Sequence, residues 1–267
     1  MRYSSDKRLL IYDVVRQYPE IFCFSTTRYG GYSKGSYASF NCNPYCGDEI
    51  ADVEKNKELL CRILPEKPDQ LFLPHQIHET RVLKIEPFFL SLHKDEQGVF
   101  LEGTDALVTS VNRICIAVST ADCVPVLCYD RRNHVVAAIH AGWRGTLARI
   151  VEKTLWEMNV TYGTCGTDVV ACIGPSISQV AFEVGDEVYC SFSDAQFDMH
   201  RIARNIGGRW HLDLWEANRL QLLSSGVPLG NIELAGICTY TENDTFFSAR
   251  RQGINSGRIL SGIMLVE

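Results

Sequence analysis

No apolar run in the 267 residues approaches the roughly 20 needed to cross a bilayer, so the sequence offers no membrane span. The opening stretch MRYSSDKRLLIYDVVRQYPE lacks the apolar core of a secretion signal, which leads to the expectation of a cytoplasmic protein. Positive charge is short as well: 26 Lys and Arg against 32 Asp and Glu give a net −6, which is no footprint for nucleic acid. Low-complexity linkers and internal repeats are missing, so one domain over residues 1–267 is expected. Cysteine is not scarce. Eleven of them, an odd number, lie in a chain whose 46% hydrophobic content suffices for a core. That combination points to reduced thiols, most of them small buried hydrophobes, rather than a disulfide framework.

The most organised stretch runs from Ile114 to Thr146, ICIAVSTADCVPVLCYDRRNHVVAAIHAGWRGT. Two β-branched apolar runs flank the polar turn Asp130-Arg131-Arg132-Asn133, which reads as a β-hairpin. With Arg131 and Arg132 as the loop centre, residue i faces residue 263 − i, and Cys123 is expected opposite His140, with Cβ atoms about 5 Å apart. A thiolate and an imidazole so placed suit either a shared metal or a Cys–His nucleophile pair. Ala141-Gly142-Trp143-Arg144-Gly145-Thr146 then leads into Leu147, Ile150, Val151, Leu155 and Met158 at helical spacing. A strand, a glycine-bracketed turn and a helix N-terminus favour an anion, and Arg144 lies inside the turn.

In chain order, Ile21 to Thr26 reads as the first strong strand, ending at Arg28-Tyr29-Gly30-Gly31-Tyr32-Ser33. Its adjacent glycines permit a ligand to approach backbone N–H groups; the plainer reading, a hairpin turn with a solvated Arg28, is favoured on this segment alone. Asp48 is expected to cap a helix through about Leu64, with Pro65 after its end. Leu71 to His78 is a short strand or loop in which Pro74 disfavours a helix, so only one of His75 and His78 is expected to point at any given site. Phe88 to Glu102 has little periodicity and reads as a surface insertion. Asp105 to Ser110 begins the strand series; Asp168 to Ile173 and Ile232 to Cys238 are further strands, helices are expected from Asp186 and after Asp213, and Phe246 to Arg251 reads as an edge strand. Adjacent and helix-separated strands together suggest an α+β or α/β fold.

Cys123, His140 and one of His75 or His78 make a His₂Cys set. Zinc with three protein ligands keeps a fourth position for water or substrate and lowers the pKa of a bound water to about 7. Asp122 is the nearest carboxylate for proton transfer or for orienting a ligand, although strand alternation turns it to the opposite face unless the backbone bends there.

Thr120-Ala121-Asp122-Cys123-Val124-Pro125-Val126-Leu127 followed by His140-Ala141-Gly142-Trp143-Arg144-Gly145 resembles the YfiH-like laccase-domain family, also labelled multicopper polyphenol oxidase and purine nucleoside phosphorylase. Ser39-Phe40-Asn41, Gln76-Ile77-His78, Ile173-Gly174-Pro175-Ser176-Ile177, Cys238-Thr239 and Phe246-Phe247-Ser248 fall in the family's order as well. The resemblance implies a single α+β domain of mixed sheets flanked by helices, layered α/β/β/α. It chooses His78 over His75 and joins it to Cys123 and His140 as zinc ligands, with copper the lesser candidate. These three are the catalytic candidates, and Asp122 joins them on its position beside Cys123. It further implies phosphorolysis of purine nucleosides, adenosine foremost with inosine, guanosine and methylthioadenosine, and deamination of adenosine at the same site. Arg28 and Arg144 are the candidates for holding phosphate, and Asn41 for a sugar or base hydrogen bond. Glu79 stands where the family usually has Gly, and Ala249 where it usually has Tyr. Three rivals differ in chemistry. A laccase needs more imidazoles than seven histidines supply, and the chain has no His-x-His pair. A metal-free Cys–His hydrolase, or an amidase acting on cell-wall precursors, uses Cys123 and His140 as nucleophile and base. A metal-stabilised binding module needs a fourth protein ligand, and the sequence offers no clear one. Oligomeric state is left open.

Overall fold

The structure, a computed structural model, describes residues 1–266. Six strands, Ala106–Thr109, Ile114–Thr120, Val124–Asp130, Val135–Ala141, Val169–Ile173 and Ile259–Leu265, are buried along their whole length. Apolar runs without polar alternation fold this way because both faces of each strand are covered. One six-stranded sheet orders as Arg2–Tyr3, Leu9–Ile11, Ile21–Thr26, Ile259–Leu265, Ile114–Thr120 and Gln70–Phe72. The other orders as Ile232–Leu234, Val169–Ile173, Val124–Asp130, Val135–Ala141, Ala106–Thr109 and Val82–Lys84. Both are mixed, with parallel pairing where Gln70–Phe72, Ile232–Leu234 and Val82–Lys84 join an otherwise antiparallel ladder.

The sheets stack face to face. Leu127, Tyr129, Val136, Ala138 and Val170 of the second sheet pack against Ile116, Val118, Cys23 and Ile263 of the first. The alternate residues of the second sheet, among them Val126, Cys128, Ala137 and Ile139, face Ile150, Val151, Leu155 and Met158 of helix Ile150–Tyr162 and Ala217 and Leu222 of helix Leu214–Ser224. Leu60 of helix Ile50–Ile63 packs with Phe24, Cys115 and Met264 on the outside of the first sheet. The result is the α/β/β/α layering of an α+β fold. A hydrogen-bonded chain of Tyr12, Ser25 and Ser261 runs through the buried interior between the sheets. No helix of the described residues is long and apolar enough to cross a membrane.

The central hairpin differs from its expected register. Val124 pairs with Ala141, Pro125 with His140 and Asp130 with Val135, so the paired numbers sum to 265 rather than 263. The turn holds four residues, not two. Asp130 accepts from Arg132 N and Asn133 N and from Asn133 Nδ2, and His134 takes a left-handed φ of 53° to bring the chain back. A shift of two in the sum preserves strand parity, so Cys123 and His140 stay on one face, offset diagonally rather than opposed. Asp48 lies one residue short of the helix cap, which is Glu49. Residues 88–102, expected as an irregular insertion, contain helices Pro87–Ser91 and Lys94–Leu101, the second started by a capping box of His93 and Glu96. Phe246 and Phe247, expected on an edge strand, are fully buried ahead of helix Ala249–Gln252. Ile232–Leu234 is a shorter strand than expected, while Asp213 caps Leu214–Ser224 as read, accepting from Glu216 N.

Candidate metal centre and cavity

The chain crosses from the first sheet to the second twice at the same end of the stack. One crossing, residues 73–81, carries His78; the other, 121–123, carries Cys123. His140 lies on the neighbouring strand Val135–Ala141, facing the seam. Each crossing bends through a non-glycine residue with positive φ, His78 at 66° and Asp122 at 83°. Ligand atoms of His78, Cys123 and His140 all lie within 4.8 Å of one another, the one such group of His, Cys, Asp or Glu side chains among the described residues. Exposure falls across the set: His78 is exposed, Cys123 partly buried and His140 buried.

Asp105 assembles this cluster, although its sequence context marks only the start of a strand. Its fully buried carboxylate accepts from the backbone N–H groups of Ile77, His78 and Glu79 at 3.3, 3.0 and 2.8 Å, and its Oδ1 lies 2.7 Å from Nδ1 of His140. One carboxylate thus fixes the crossing that carries His78 and the ring of His140 together. Burial pushes the Asp105 carboxyl upward, but His140 and the N–H groups more than offset this and hold it below the usual carboxylate range. With Nδ1 engaged, Nε2 is the His140 atom left for a metal, as in carboxylate-oriented ligand histidines. Burial likewise works against the Cys123 thiolate, yet the His140 and His78 imidazoles bring its pKa down to about 6. Burial also disfavours the His140 cation, which Cys123 and Asp105 raise to about 9. A thiolate and two imidazoles in reach of one point fit zinc, whose bonds of about 2.3 Å to sulfur and 2.0–2.1 Å to nitrogen close a three-ligand set with an open position.

Gly142 clears the space. A Cβ there would stand 2.9 Å from His78 Cδ2 and 3.2 Å from Cys123 Sγ, closer than packed atoms tolerate. Beside the cluster opens a cavity of ≈ 290 Å³ lined also by Asn43, Tyr45, His75, Thr120, Ala249 and Arg258. That volume is at the small end of small-molecule sites.

The other sequence candidates lie elsewhere. Asp122 accepts from Thr239 Oγ1 at 2.7 Å and Arg250 N at 2.6 Å, so its carboxylate braces the start of Ala249–Gln252; the bend at its positive φ aims Cys123, and Asp105 does the orienting expected of it. Asn41 is fully buried and brackets a loop through Asn43 O, Asp48 Oδ2 and Arg258 N. Arg28 donates to Ala38 O and Asn243 O above the Phe247 ring. Arg144 is exposed, its guanidinium 4.3 Å over Trp143, and the helix behind it, Trp143–Leu147, is five residues long. Neither arginine lines the cavity, whereas Arg258, which the sequence reading passed over, does. His75 lines it too, but its Nδ1 pairs with Glu102 at 2.7 Å and it stands outside the cluster. Glu79, in the family's usual Gly position, needs no glycine conformation and contributes its N–H to Asp105.

Two stacked mixed sheets between helices, with a His₂Cys cluster where the chain crosses between them, define a class of α+β protein built around a single metal-type site. The chain belongs to the family described as multi-copper polyphenol oxidoreductase laccase, whose model matches residues 22–266. It is 54% identical to a purine nucleoside phosphorylase of Bacteroides thetaiotaomicron over 98% of both chains. It is 42% identical to adenosine deaminase RL5 of an unknown prokaryotic organism, over 94% of this chain and 96% of that one. The crystal structure of YlmD from Geobacillus stearothermophilus superposes with a TM-score of 0.90 at 29% identity, covering 99% of this chain and 98% of that chain.

Proposed function

We propose that the protein is a zinc-dependent purine nucleoside phosphorylase that splits adenosine, and also inosine, guanosine and methylthioadenosine, with phosphate into the base and ribose 1-phosphate. Hydrolytic deamination of adenosine belongs to the same site. The observation that carries this reading is the His78–Cys123–His140 cluster beside a cavity of ≈ 290 Å³, in a chain similar along almost its whole length to proteins named for these two reactions. Bound zinc supplies a Lewis acid with an open coordination position. Asp105 keeps the His140 proton on Nδ1 and holds the 77–79 backbone in place, so both imidazoles are positioned before substrate arrives. In phosphorolysis the bond from C1′ to the purine nitrogen breaks and a bond from C1′ to a phosphate oxygen forms. The anion needs a cation, and Arg258 is the arginine on the cavity wall; its Nε makes no hydrogen bond within the described residues. Arg28 and Arg144 remain the outer candidates for drawing phosphate in.

The direct test incubates the metal-quantified protein with adenosine, with and without phosphate, and follows adenine, ribose 1-phosphate and inosine by chromatography. Phosphate-dependent adenine that disappears in Cys123→Ala supports the phosphorylase; absence of both adenine and inosine with stoichiometric zinc present defeats the assignment.

One observation favours a second reading. Cys123, His140 and Asp105 stand in the order nucleophile, base and orienting carboxylate, as a metal-free cysteine hydrolase or cell-wall amidase would have them. Removing metal with a chelator separates the two: the phosphorylase loses turnover and the hydrolase keeps it.

A further inference from the structure

Two loops meet in the cavity wall, the one that carries Tyr45 and the 73–81 crossing that carries both His75 and His78. The rings of Tyr45 and His75 stack there with centroids 4.5 Å apart and planes 25° from parallel. Tyr45 keeps 47% of its surface exposed, which leaves ring area on which a further ring can continue the stack. Neither loop is loose. Tyr45 N donates to Asn43 Oδ1 at 2.6 Å, and Asn43 Nδ2 donates to Ser119 Oγ at 2.7 Å. Ser119 N donates at 2.8 Å to Oε1 of Gln76, next to His75, and Gln76 Nε2 returns a bond to Ser119 O. One strand end therefore ties the loops of both rings. Glu102 then fixes the His75 ring through Nδ1.

We propose that the Tyr45–His75 pair is the platform on which the flat heteroaromatic base of the substrate lies, its sugar directed toward His78, Cys123 and His140. The proposal rests on the nucleoside reading and adds which wall takes the base. Stacking suits any purine, because every base offers a π-face. Phosphate is disfavoured beside His75 by the Glu102 carboxylate behind it. Burial and the charge of Glu102 push the Tyr45 phenol up, so the ring is neutral at working pH. Rings already held by hydrogen bonds lose little conformational freedom on binding.

The test compares wild type, Tyr45→Phe and Tyr45→Ala as zinc-loaded proteins, by steady-state kinetics with adenosine and phosphate and by calorimetric titration with adenosine alone. Tyr45→Ala is expected to raise the KM for adenosine about 10-fold or more, the lower range for loss of one base–aromatic stack, while kcat, the KM for phosphate and zinc content hold. Tyr45→Phe, which keeps the ring, restores the wild-type KM. An unchanged KM in Tyr45→Ala, or a rise that Tyr45→Phe shares in full, overturns the platform. If wild type turns over no nucleoside but binds adenosine in a Tyr45-dependent way, the platform stands and the phosphorylase reading falls; if it neither binds nor turns over adenosine, both fall.

Discussion

Two histidine–carboxylate pairs border the same cavity, and in both Nδ1 lies 2.7 Å from a carboxylate oxygen. Their surroundings differ. The His140 and Asp105 side chains are 3% and 0% exposed, those of His75 and Glu102 39% and 61%. Asp105 also takes three backbone N–H groups, whereas the Glu102 carboxylate has His75 alone among the described residues. A hydrogen bond of one length is a structural keystone in the first case and a ring positioner in the second. Burial decides between them, because removing a partner strands groups that water cannot reach.

The comparison breaks hardest at Asp105. Asp105→Ala leaves His140 and three N–H groups without their acceptor, and a loss of about 3–5 kcal/mol is expected, the cost of halving a buried pair. Zinc affinity should fall about 10–100-fold or more, as for other partners behind ligand histidines. Denaturant titration and metal analysis read the two effects; a variant of wild-type stability that keeps its zinc would show that Asp105 is not the keystone. Gly142→Ala comes next. Its methyl group presses on His78 and Cys123 without touching Asp105, so metal affinity should drop about tenfold with a smaller stability loss of about 1–2 kcal/mol. If both quantities were untouched, the cluster would have room that the packing denies.

Protonation sharpens the contrast at intermediate size. In metal-free protein Cys123, brought down to about 6, is a thiolate above that pH and becomes a thiol as pH falls through it. Alkylation of Cys123, followed by peptide mass mapping, should therefore stay level from pH 8 to 7 and decline below about 6. In Asp105→Asn the His140 cation loses its support, so the midpoint should move upward; in Glu102→Gln it should not move. A thiol-like rise of Cys123 alkylation between pH 7 and 9 in wild type would refute the thiolate–imidazolium pairing.

Strand and helix content was legible where chemistry was local. Asp213 announced its helix, and the two β-branched apolar runs announced the hairpin strands. The cluster members Cys123 and His140 were legible through strand parity, which survived a wrong turn length because the error was even. Asp105 was not legible: its partners lie 26 to 35 residues away in sequence, and nothing in Thr104-Asp105-Ala106 marks a carboxylate that closes a circle of N–H groups. The one available signal was a charged residue entering a fully apolar strand, since buried charges require partners. Arg258 and Tyr45 escaped for the same reason: the cavity wall is made where distant loops meet, and no periodicity encodes that. Asn41 and Asp122 were read for chemistry because polar residues beside motifs attract it, yet both are braces within the loops.

The smallest effect is expected at the exposed pair. A hydrogen-bonded pair with both partners this solvated contributes about 0–1 kcal/mol, so Glu102→Gln should leave stability within about 0.5 kcal/mol of wild type. His75→Ala should likewise retain the metal that His78→Ala releases, because only His78 reaches Cys123 and His140. What Glu102→Gln removes is the charge that orients the His75 ring and keeps phosphate off that wall, so the adenosine KM should rise only slightly and phosphate inhibition at high concentration should become detectable. Equal zinc loss in His75→Ala and His78→Ala would place both histidines at the metal, and the division between a buried keystone and an exposed positioner would not hold.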